Sequence, residues 1–152
     1  MENQQKISSK CSGKVICEIP IKMMSLNDYV KLCRGNYFKA NNEVQNLEQE
    51  IGLYISRLPH FSKPIKIDFH WIEGNRRRDF DNICFAKKFI LDSMVKHGKM
   101  LDDNRKCVCD FHDSFYISKN KEFKVILEIT EVEHGTETIW DDSILGDKSR
   151  GS

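Results

Sequence analysis

Residues 64–72 read PIKIDFHWI, and this stretch decides the fold. Apolar residues alternate strictly with polar ones along it: Ile65, Ile67, Phe69 and Trp71 form one set, and Lys66, Asp68 and His70 form the other. A period of two residues predicts a β-strand that buries one face and exposes the other. Because such a strand needs a covering layer, the sequence predicts helices packed on a sheet.

The flanking sequence supplies both kinds of element. The predicted elements are a strand at Lys14–Ile21, helical chain from Asp28 to about Leu58 with a cap at Ser25 or Asn27 and a break near Gly35-Asn36, a helix from Phe80 to His97 closed by Gly98, and two antiparallel strands, Lys106–Ile117 and Glu122–Thr130, joined through residues 118–121. This order predicts an α+β fold. We expect a single domain with one mixed sheet of about four strands and helices packed on it.

Three regions differ in composition. Residues 1–13 are predicted to be a flexible leader, residues 14–131 the folded domain, and residues 132–152 an acidic, disordered tail. The tail contains two basic and five acidic residues, a net charge of −3, so the rest of the chain carries +4 if the whole carries +1. A modestly basic body suits a polyanionic partner, although many proteins with this charge bind no nucleic acid.

The composition also excludes several classes of protein. Hydrophobic residues make up 39% of the 152-residue chain and charged residues 31%, which fits a globular protein and not a disordered one. No apolar run approaches the roughly 20 residues of a membrane helix, and residues 1–12 lack the apolar stretch of a signal peptide. We therefore expect a cytoplasmic protein without a membrane partner, whose six cysteines are reduced and mostly in the core.

Charged residues that favour chemistry concentrate in residues 76–103, RRRDFDNICFAKKFILDSMVKHGKMLDD. Three arginines precede Asp79 and Asp81, a lysine-bearing helix follows, and Asp102-Asp103 come after it. Clustered carboxylates can hold Mg²⁺, which neutralises the charge that phosphodiester hydrolysis adds and activates a water molecule. Arginines beside them can bind the DNA backbone. The combination predicts a metal-dependent nuclease.

Each part of this segment also has a structural explanation. Asp79 is a good N-cap for the helix that follows, and Asp81 in the first turn favours the positive end of the helix dipole. Asp102-Asp103 fit a solvated turn, and the arginines fit an ordinary surface. The functional prediction depends on all of them occurring together, and in this order, within 28 residues.

The same segment resembles RusA-type Holliday-junction resolvases, a family common in bacteria, prophages and phages. The family pattern is a basic run, D-x-D-N at a helix start, a helix lysine, and a D-D or N-D pair past the helix's glycine. The matching residues are Arg76-Arg77-Arg78, Asp79-Phe80-Asp81-Asn82, Lys88, Gly98 and Asp102-Asp103, and Ser25-Leu26-Asn27 resembles the family's early S-x-N loop. The resemblance covers residues 14–130. It implies a RusA-like fold and a Mg²⁺-dependent endodeoxyribonuclease, a hydrolase that resolves Holliday junctions by paired symmetric nicks in DNA recombination and repair, leaving 5′-phosphate and 3′-hydroxyl ends.

The resemblance also implies roles for particular residues. Asp79, Asp81 and Asp103 are expected to bind the metal, and a helix lysine is expected to assist catalysis. Family members place that lysine four residues after the second aspartate, where this chain has Phe85. About three extra helical residues realign Lys88, which lies about two turns from Asp81 and shares its face of a continuous helix. The alternative for Lys88 is a solvated helix lysine.

Distances along the chain point to a homodimer. A helix from Asp79 to His97 spans about 27 Å, whereas the chain from Gly98 to Asp103 reaches at most about 17 Å. A two-fold dimer, which places Asp103 or Lys88 of one subunit near the other's helix start, offers an easier route than a stretched loop. We therefore predict two metal sites near a dimer axis, an arrangement that matches the two-fold symmetry of a four-way junction.

Basic residues outside the carboxylates are expected to contact DNA. The predicted DNA-binding residues are Arg76, Arg77, Arg78, Lys87, Arg105 and Lys106, and Lys87 is expected to point about 100° away from Lys88, towards solvent or the DNA backbone. Further candidates are Lys31, Arg34 and Lys39, with Tyr37 and Phe38 for stacking at the branch.

Two other functions stay open. One is a RusA-like protein that binds junctions without cutting them. The other is a zinc-linked structural protein, because Cys107 and Cys109 form a C-x-C pair with His112 three residues later. Packing is the alternative for these cysteines, since positions 107 and 109 share one face of a strand.

Overall fold

The computed structural model of the chain describes residues 13–133 and 139–150. The elements are β1 (Lys14–Ile19), α1 (Leu26–Arg34), α2 (Tyr37–Ile55), β2 (Ile65–Glu73), α3 (Phe80–Cys84), α4 (Lys87–Lys96), β3 (Val108–Ile117), β4 (Lys124–Glu131) and a 3₁₀ helix (Asp142–Arg150). This mixture of strands and helices confirms the predicted α+β class. Residues 1–12, most of the predicted leader, lie outside the described part.

One four-stranded sheet organises the domain, in the order β1-β4-β2-β3. β4 runs antiparallel to both of its neighbours, and β2 pairs with β3 in parallel, so the sheet is mixed, as predicted. β3 and β4 do run in opposite directions, but β2 lies between them and the tight connection does not make them partners. Their predicted antiparallel orientation is therefore confirmed, whereas the position of β2 between them was not predicted.

The core lies on one face of this sheet. Ile65, Ile67 and Phe69 of β2 are completely buried, as the alternating pattern predicted, and they pack with apolar residues of α2 and α4 in one cluster. The rings of Phe69 and Trp71 stack with centroids 5.5 Å apart. The opposite face of β2 carries Lys66, Asp68 and His70 and stays partly or fully exposed.

A β-bulge changes which side chains of β3 face the core. Ile65 pairs with Val108 but the next residue, Lys66, pairs with Asp110, so Cys109 is the extra residue. An extra residue reverses the alternation of everything after it. Asp113, which now pairs with Phe69, therefore lies on the helix-covered face.

The helices begin and end largely where local chemistry predicts. The Ser25 hydroxyl accepts a hydrogen bond from the Asp28 amide (3.1 Å), and the Asn36 side chain accepts one from the Lys39 amide (3.0 Å). These are N-caps for α1 and α2, and they confirm the predicted break near Gly35-Asn36. The long helix predicted from Phe80 to His97 was wrong.

Two helices replace that single helix. α3 ends at Cys84, and the chain tightens through a turn in which the Ala86 amide donates to the Ile83 carbonyl and the Phe89 amide to the Ala86 carbonyl. Hydrogen bonds over three residues wind the chain more tightly than an α-helix does. Ala86 is fully buried, so the turn itself belongs to the core. Lys87 and Lys88 therefore do not point where a continuous helix would aim them.

Part of the region predicted as a disordered tail is described as a helix. Residues 142–150 form the 3₁₀ helix, and Ile139, Trp140, Ile144 and Leu145 expose much of their side chains. Residues 134–138 and 151–152 lie outside the described residues. Among the helices that are described, none has both the length and the apolar character needed to cross a membrane.

The five described cysteines are free thiols, but only Cys17 is buried, whereas Cys33 is exposed. That the cysteines are reduced stays a prediction. Their predicted placement in the core is confirmed for Cys17 and in part for Cys84, which packs against the core, and not for exposed Cys33. Cys11 lies outside the described residues. Burial raises the pKa of the Cys17 thiol to about 12, against a smaller opposing effect of the Arg57 charge.

Cys17 should therefore resist alkylation in the folded protein. At pH 8 a thiol of pKa about 12 is ionised in roughly one molecule in ten thousand, because the raised pKa favours the neutral form. Mass-spectrometric mapping with N-ethylmaleimide should find Cys33 modified first and Cys17 only after denaturation. Equal rates at both residues in native protein would contradict the described burial.

Candidate functional site

A buried ion pair closes the loop between β2 and α3. Arg78 donates from Nε to Oε1 of Glu73 (2.9 Å) and from Nη2 to Oε2 (2.7 Å). Its third nitrogen donates to the backbone carbonyl of Met23 (2.7 Å). The two side chains are only 14% and 7% exposed. A bidentate pair of this kind fixes direction as well as distance, so it sets where the residues after Arg78 leave the loop.

Close backbone packing restrains the start of the same loop. A Cβ atom on Gly74 would lie 2.5 Å from the carbonyl oxygen of Lys121 and 2.6 Å from the Phe123 ring. Only glycine allows this approach, because no real Cβ atom tolerates such contacts with backbone. The loop before α3 is therefore held against the connection between β3 and β4.

Asp79 and Asp81 stand at the start of α3 with their carboxylates exposed. Asp79 occupies the N-cap position, yet its side chain makes no capping hydrogen bond; its backbone carbonyl alone accepts from the amides of Asn82 and Ile83. Within the described residues, neither carboxylate has a hydrogen-bond or ion-pair partner. The capping explanation for Asp79 therefore does not hold, and both carboxylates remain available to a ligand.

Asn82, the last residue of D-x-D-N, joins the motif to α1. Its Oδ1 accepts a hydrogen bond from the Asn27 amide over 2.9 Å. Asn27 belongs to the Ser25-Leu26-Asn27 turn whose likeness to the family's S-x-N loop was noted from sequence. The two separate motifs therefore meet at one place in the fold.

A pocket of about 590 Å³ opens beside the two carboxylates. Its lining consists of Glu73, Asn75, Arg76, Arg78, Asp79, Phe80, Asp81, Ile83, Phe115, Tyr116 and Ile117. Acidic and basic groups thus share it with aromatic and aliphatic ones. Such a mixture of apolar walls and a few polar groups is typical of ligand sites.

Asp103 lies towards the other end of the sheet. It belongs to the loop before β3, and the first residue of β3, Val108, pairs with Ile65 at the start of β2. Asp79 follows the far end of β2, a nine-residue strand whose ends lie about 26 Å apart at about 3.3 Å per residue. The Phe61 amide donates to the Lys99 carbonyl (2.7 Å). This bond also places the chain between α4 and β3, which contains Asp103, near the start of β2.

The structure therefore brings Asp79 and Asp81 to one pocket and leaves Asp103 out of its lining. Within the described residues, no three His, Cys, Asp or Glu side chains are grouped so that they could hold a metal ion. That finding also covers Cys107, Cys109 and His112. The Cys109 thiol donates to the Ile65 carbonyl (3.5 Å), and His112 lies 3.4 Å from Asp110, so the zinc alternative gains no support.

Of the two neighbouring helix lysines, Lys87 is largely buried and Lys88 is exposed. Lys87, predicted to point towards solvent or DNA, is 17% exposed, and its ammonium lies 2.6 Å from the Asp113 carboxylate. It also lies over the rings of Phe69 and Phe111, 5.4 Å and 4.5 Å from their centroids. The orientation predicted for Lys87, towards solvent or the DNA backbone, was therefore wrong.

Lys88, the lysine expected to assist catalysis, is exposed and lies 3.4 Å from Asp92 one turn later on α4. An exposed pair at this spacing contributes little to stability. The face shared with Asp81 was derived for a continuous helix, so that geometric support is lost. The role of Lys88 stays a prediction.

Asp113 is a residue that the sequence patterns missed. Its second oxygen accepts a hydrogen bond from the Trp71 indole over 2.8 Å. Burial raises the pKa of the neighbouring Cys84 thiol, the negative charge of Asp113 raises it further, and the Lys87 charge opposes this. A carboxylate between Phe111 and Phe115 was a usable signal, since a charge on an apolar strand face requires a partner.

The predicted DNA-binding residues fall into three groups. Arg76 and Arg77 are exposed beside the pocket, whereas Arg78 is occupied by Glu73 and Met23. Arg105 and Lys106 are exposed in the loop that carries Asp103. In addition, Tyr37 and Phe38 project at the start of α2, 67% and 77% exposed. DNA contact by any of them stays a prediction.

Replacing Glu73 by Gln should destabilise the protein, because it leaves the Arg78 guanidinium largely buried without a counter-charge. Breaking a buried pair typically costs about 3–5 kcal/mol. Urea denaturation followed by circular dichroism measures the change. The control is Glu133→Gln, which removes the exposed partner of Lys63 and should leave the midpoint nearly unchanged. Equal urea midpoints for Glu73→Gln and the control would contradict a stabilising role of the buried Glu73–Arg78 pair.

Replacing Asp113 by Ala should also destabilise the fold, by about 2–4 kcal/mol, since the Lys87 ammonium and the Trp71 indole both lose a largely buried acceptor. The matched control is Asp110→Ala on the same strand, whose side chain is 48% exposed. Thermal unfolding of both variants compares them. Equal decreases in the two melting temperatures would show that the Lys87–Asp113 pair is not important for stability.

A scan of the chain against models of known protein families and a search among curated proteins both found no match. Function is therefore inferred from the geometry of the pocket beside Asp79 and Asp81, together with the resemblance of residues 76–103 to the RusA pattern.

Proposed function

We propose that the chain is a Mg²⁺-dependent endodeoxyribonuclease that resolves four-way DNA junctions as a homodimer. One observation carries the proposal: Asp79 and Asp81 line a pocket, and neither carboxylate has a hydrogen-bond or ion-pair partner among the described residues. Asp81 also lies in the first turn of α3, where the helix dipole favours a negative charge. Carboxylates that stabilise a fold are ordinarily paired, capped or hydrogen-bonded. Asp79 and Asp81 follow a loop that the buried Glu73–Arg78 pair holds in place. Two such carboxylates without a partner among the described residues fit a ligand-binding site.

The donor set suits magnesium. Mg²⁺ usually binds one or two protein carboxylates together with water and substrate phosphate oxygens, and Asp79 with Asp81 would supply such a pair. Bound there with DNA, the ion would activate a water molecule and neutralise the charge that develops on the phosphate. The exposed side chains of Arg76 and Arg77 would hold the DNA backbone beside it.

The separation of Asp103 from the pocket supports a dimeric site. Since one chain places Asp103 towards the opposite end of β2, the Asp103 carboxylate would reach Asp79 from another copy of the chain. In a two-fold dimer each chain would lend its Asp103 to the other, giving two equivalent sites. Arg105 and Lys106, in the same loop, would then be carried to the DNA with it.

A second candidate is a protein that binds junctions without cutting them. The contacts of the two lysines favour it: Lys87 is paired with Asp113 and Lys88 with Asp92. If catalysis requires a free lysine near the phosphate, neither is free for that purpose in this arrangement. Cleavage measurements separate the two candidates.

The proposal predicts that the wild-type protein nicks a synthetic four-way junction symmetrically when Mg²⁺ is present and not in EDTA. Asp79→Asn should lower the rate at least about 100-fold, because a neutral amide is a weak magnesium ligand. The matched control is Asp110→Asn, an exposed aspartate on β3 outside the pocket, which should nick like the wild type. Gel analysis of end-labelled strands gives the rates.

Two results would count against nuclease function. Nicking that is unchanged in Asp79→Asn would place the chemistry elsewhere. Tight binding of the junction without any nicking, by the wild type and by Asp79→Asn alike, would favour the non-cleaving protein.

Mixing subunits tests the shared site. Asp79→Asn and Asp103→Asn proteins should each be inactive, but random exchange makes about half of the dimers mixed. If each site combines residues of two chains, a mixed dimer has one intact site and one with both changes. It should nick one strand without the paired second cut. If each site lies within one chain, mixing restores nothing.

A further inference from the structure

Phe80, the residue between the two carboxylates, presents its ring to solvent. The side chain is 63% exposed, and its ring lies parallel to the Phe115 ring, with centroids 4.0 Å apart and planes tilted by only 7°. Phe115 is partly buried and packs against the core. One face of the Phe80 ring is thus supported by the protein, and the rest of the ring remains accessible.

The supported ring forms part of the pocket wall. Ile83, Tyr116 and Ile117 extend the apolar surface, while Arg76 and Asn75 provide polar groups on the same pocket. The pocket volume of about 590 Å³ lies within the range of small-ligand sites, roughly 300–1,000 Å³. A flat aromatic surface with a nearby cation matches a nucleotide, since a base has a π-face and its phosphate is an anion.

We propose that this pocket takes one unstacked nucleobase of the DNA, which stacks on Phe80 while a divalent cation held by Asp79 and Asp81 would bind the adjoining phosphate. This inference rests on the proposed nuclease function and adds a substrate requirement to it. A base next to the cleaved phosphate must be able to leave the helical stack, as it can at a branch point and cannot without cost in continuous duplex. Phe80 would thereby favour branched over linear DNA.

The position of Phe80 in the sequence makes the pairing of base and phosphate direct. Asp79, Phe80 and Asp81 line the same pocket, so a nucleotide whose phosphate reaches the carboxylates has the ring within the same cavity. The Glu73–Arg78 clamp holds the loop immediately before it. The exposed aromatic pair Tyr37 and Phe38, in contrast, belongs to α2 and takes no part in lining this pocket.

Phe80→Leu and Phe80→Tyr test the proposal, with Trp140→Leu as the matched control, since Trp140 is also an exposed aromatic residue (61%) and lies outside the pocket lining. Junction affinity is measured by fluorescence anisotropy with Ca²⁺ in place of Mg²⁺, beside a linear duplex of equal length. Base stacking on an aromatic side chain is lost with about 5- to 150-fold weaker binding. Phe80→Leu should therefore bind the junction at least about fivefold more weakly and the duplex unchanged, whereas Phe80→Tyr and Trp140→Leu should match the wild type.

A second readout reports the base itself. With 2-aminopurine at the branch point, wild-type protein should raise the emission as the base leaves its stack, and Phe80→Leu should not. Equal affinities and equal emission for Phe80→Leu and wild type, in a protein that nicks junctions, overturn the base pocket and leave nuclease function intact. Sedimentation that shows Phe80→Leu to be monomeric where the wild type is dimeric also overturns it, since the ring would then be an interface contact. A wild-type protein that neither binds nor nicks junctions overturns both proposals.

Discussion

The buried ion pair between Glu73 and Arg78 is the constraint on which the proposed site depends. Glu73 ends β2 and Arg78 directly precedes Asp79, so the pair ties the sheet to the residue that would begin the metal site. The Met23 carbonyl shares the same guanidinium, which brings the chain before α1 to the same point. Because either charge would be left unpaired and largely buried without the other, the loop has little freedom to take another path.

The buried Glu73–Arg78 pair fixes the residue before Asp79, yet the Asp79 side chain does not cap α3. In the same chain, Ser25 and Asn36 cap their helices with side-chain hydrogen bonds, whereas Asp79 stands at a cap position and leaves that bond unmade. A cap typically contributes about 1 kcal/mol to stability. Positions where a residue does not form the stabilising contact that its type and place predict are often functional. This contrast within one protein supports the proposed binding role of Asp79.

Local patterns in the sequence predicted much of the fold, and long-range pairing set the rest. The alternation in residues 64–72 predicted the core strand, and Gly35-Asn36 predicted the break between helices, because both signals lie in adjacent residues. The order of strands depends on pairing between distant segments, so local patterns did not predict it. Neither the bulge at Cys109 nor the turn after Cys84 changes the local pattern of apolar residues, so neither could be predicted from it. The bulge turns Asp113 to the helix-covered face, where it pairs with Lys87.

The most direct measurement is paramagnetic broadening of amide NMR signals by Mn²⁺, a substitute for Mg²⁺ that binds the same oxygen ligands. We expect sub-stoichiometric Mn²⁺ to broaden the signals of residues 79–82 first, together with those around Asp103 in the dimer, and Asp81→Asn to abolish this broadening. Broadening centred on residues 107–112, or spread evenly over the acidic surface, would contradict it.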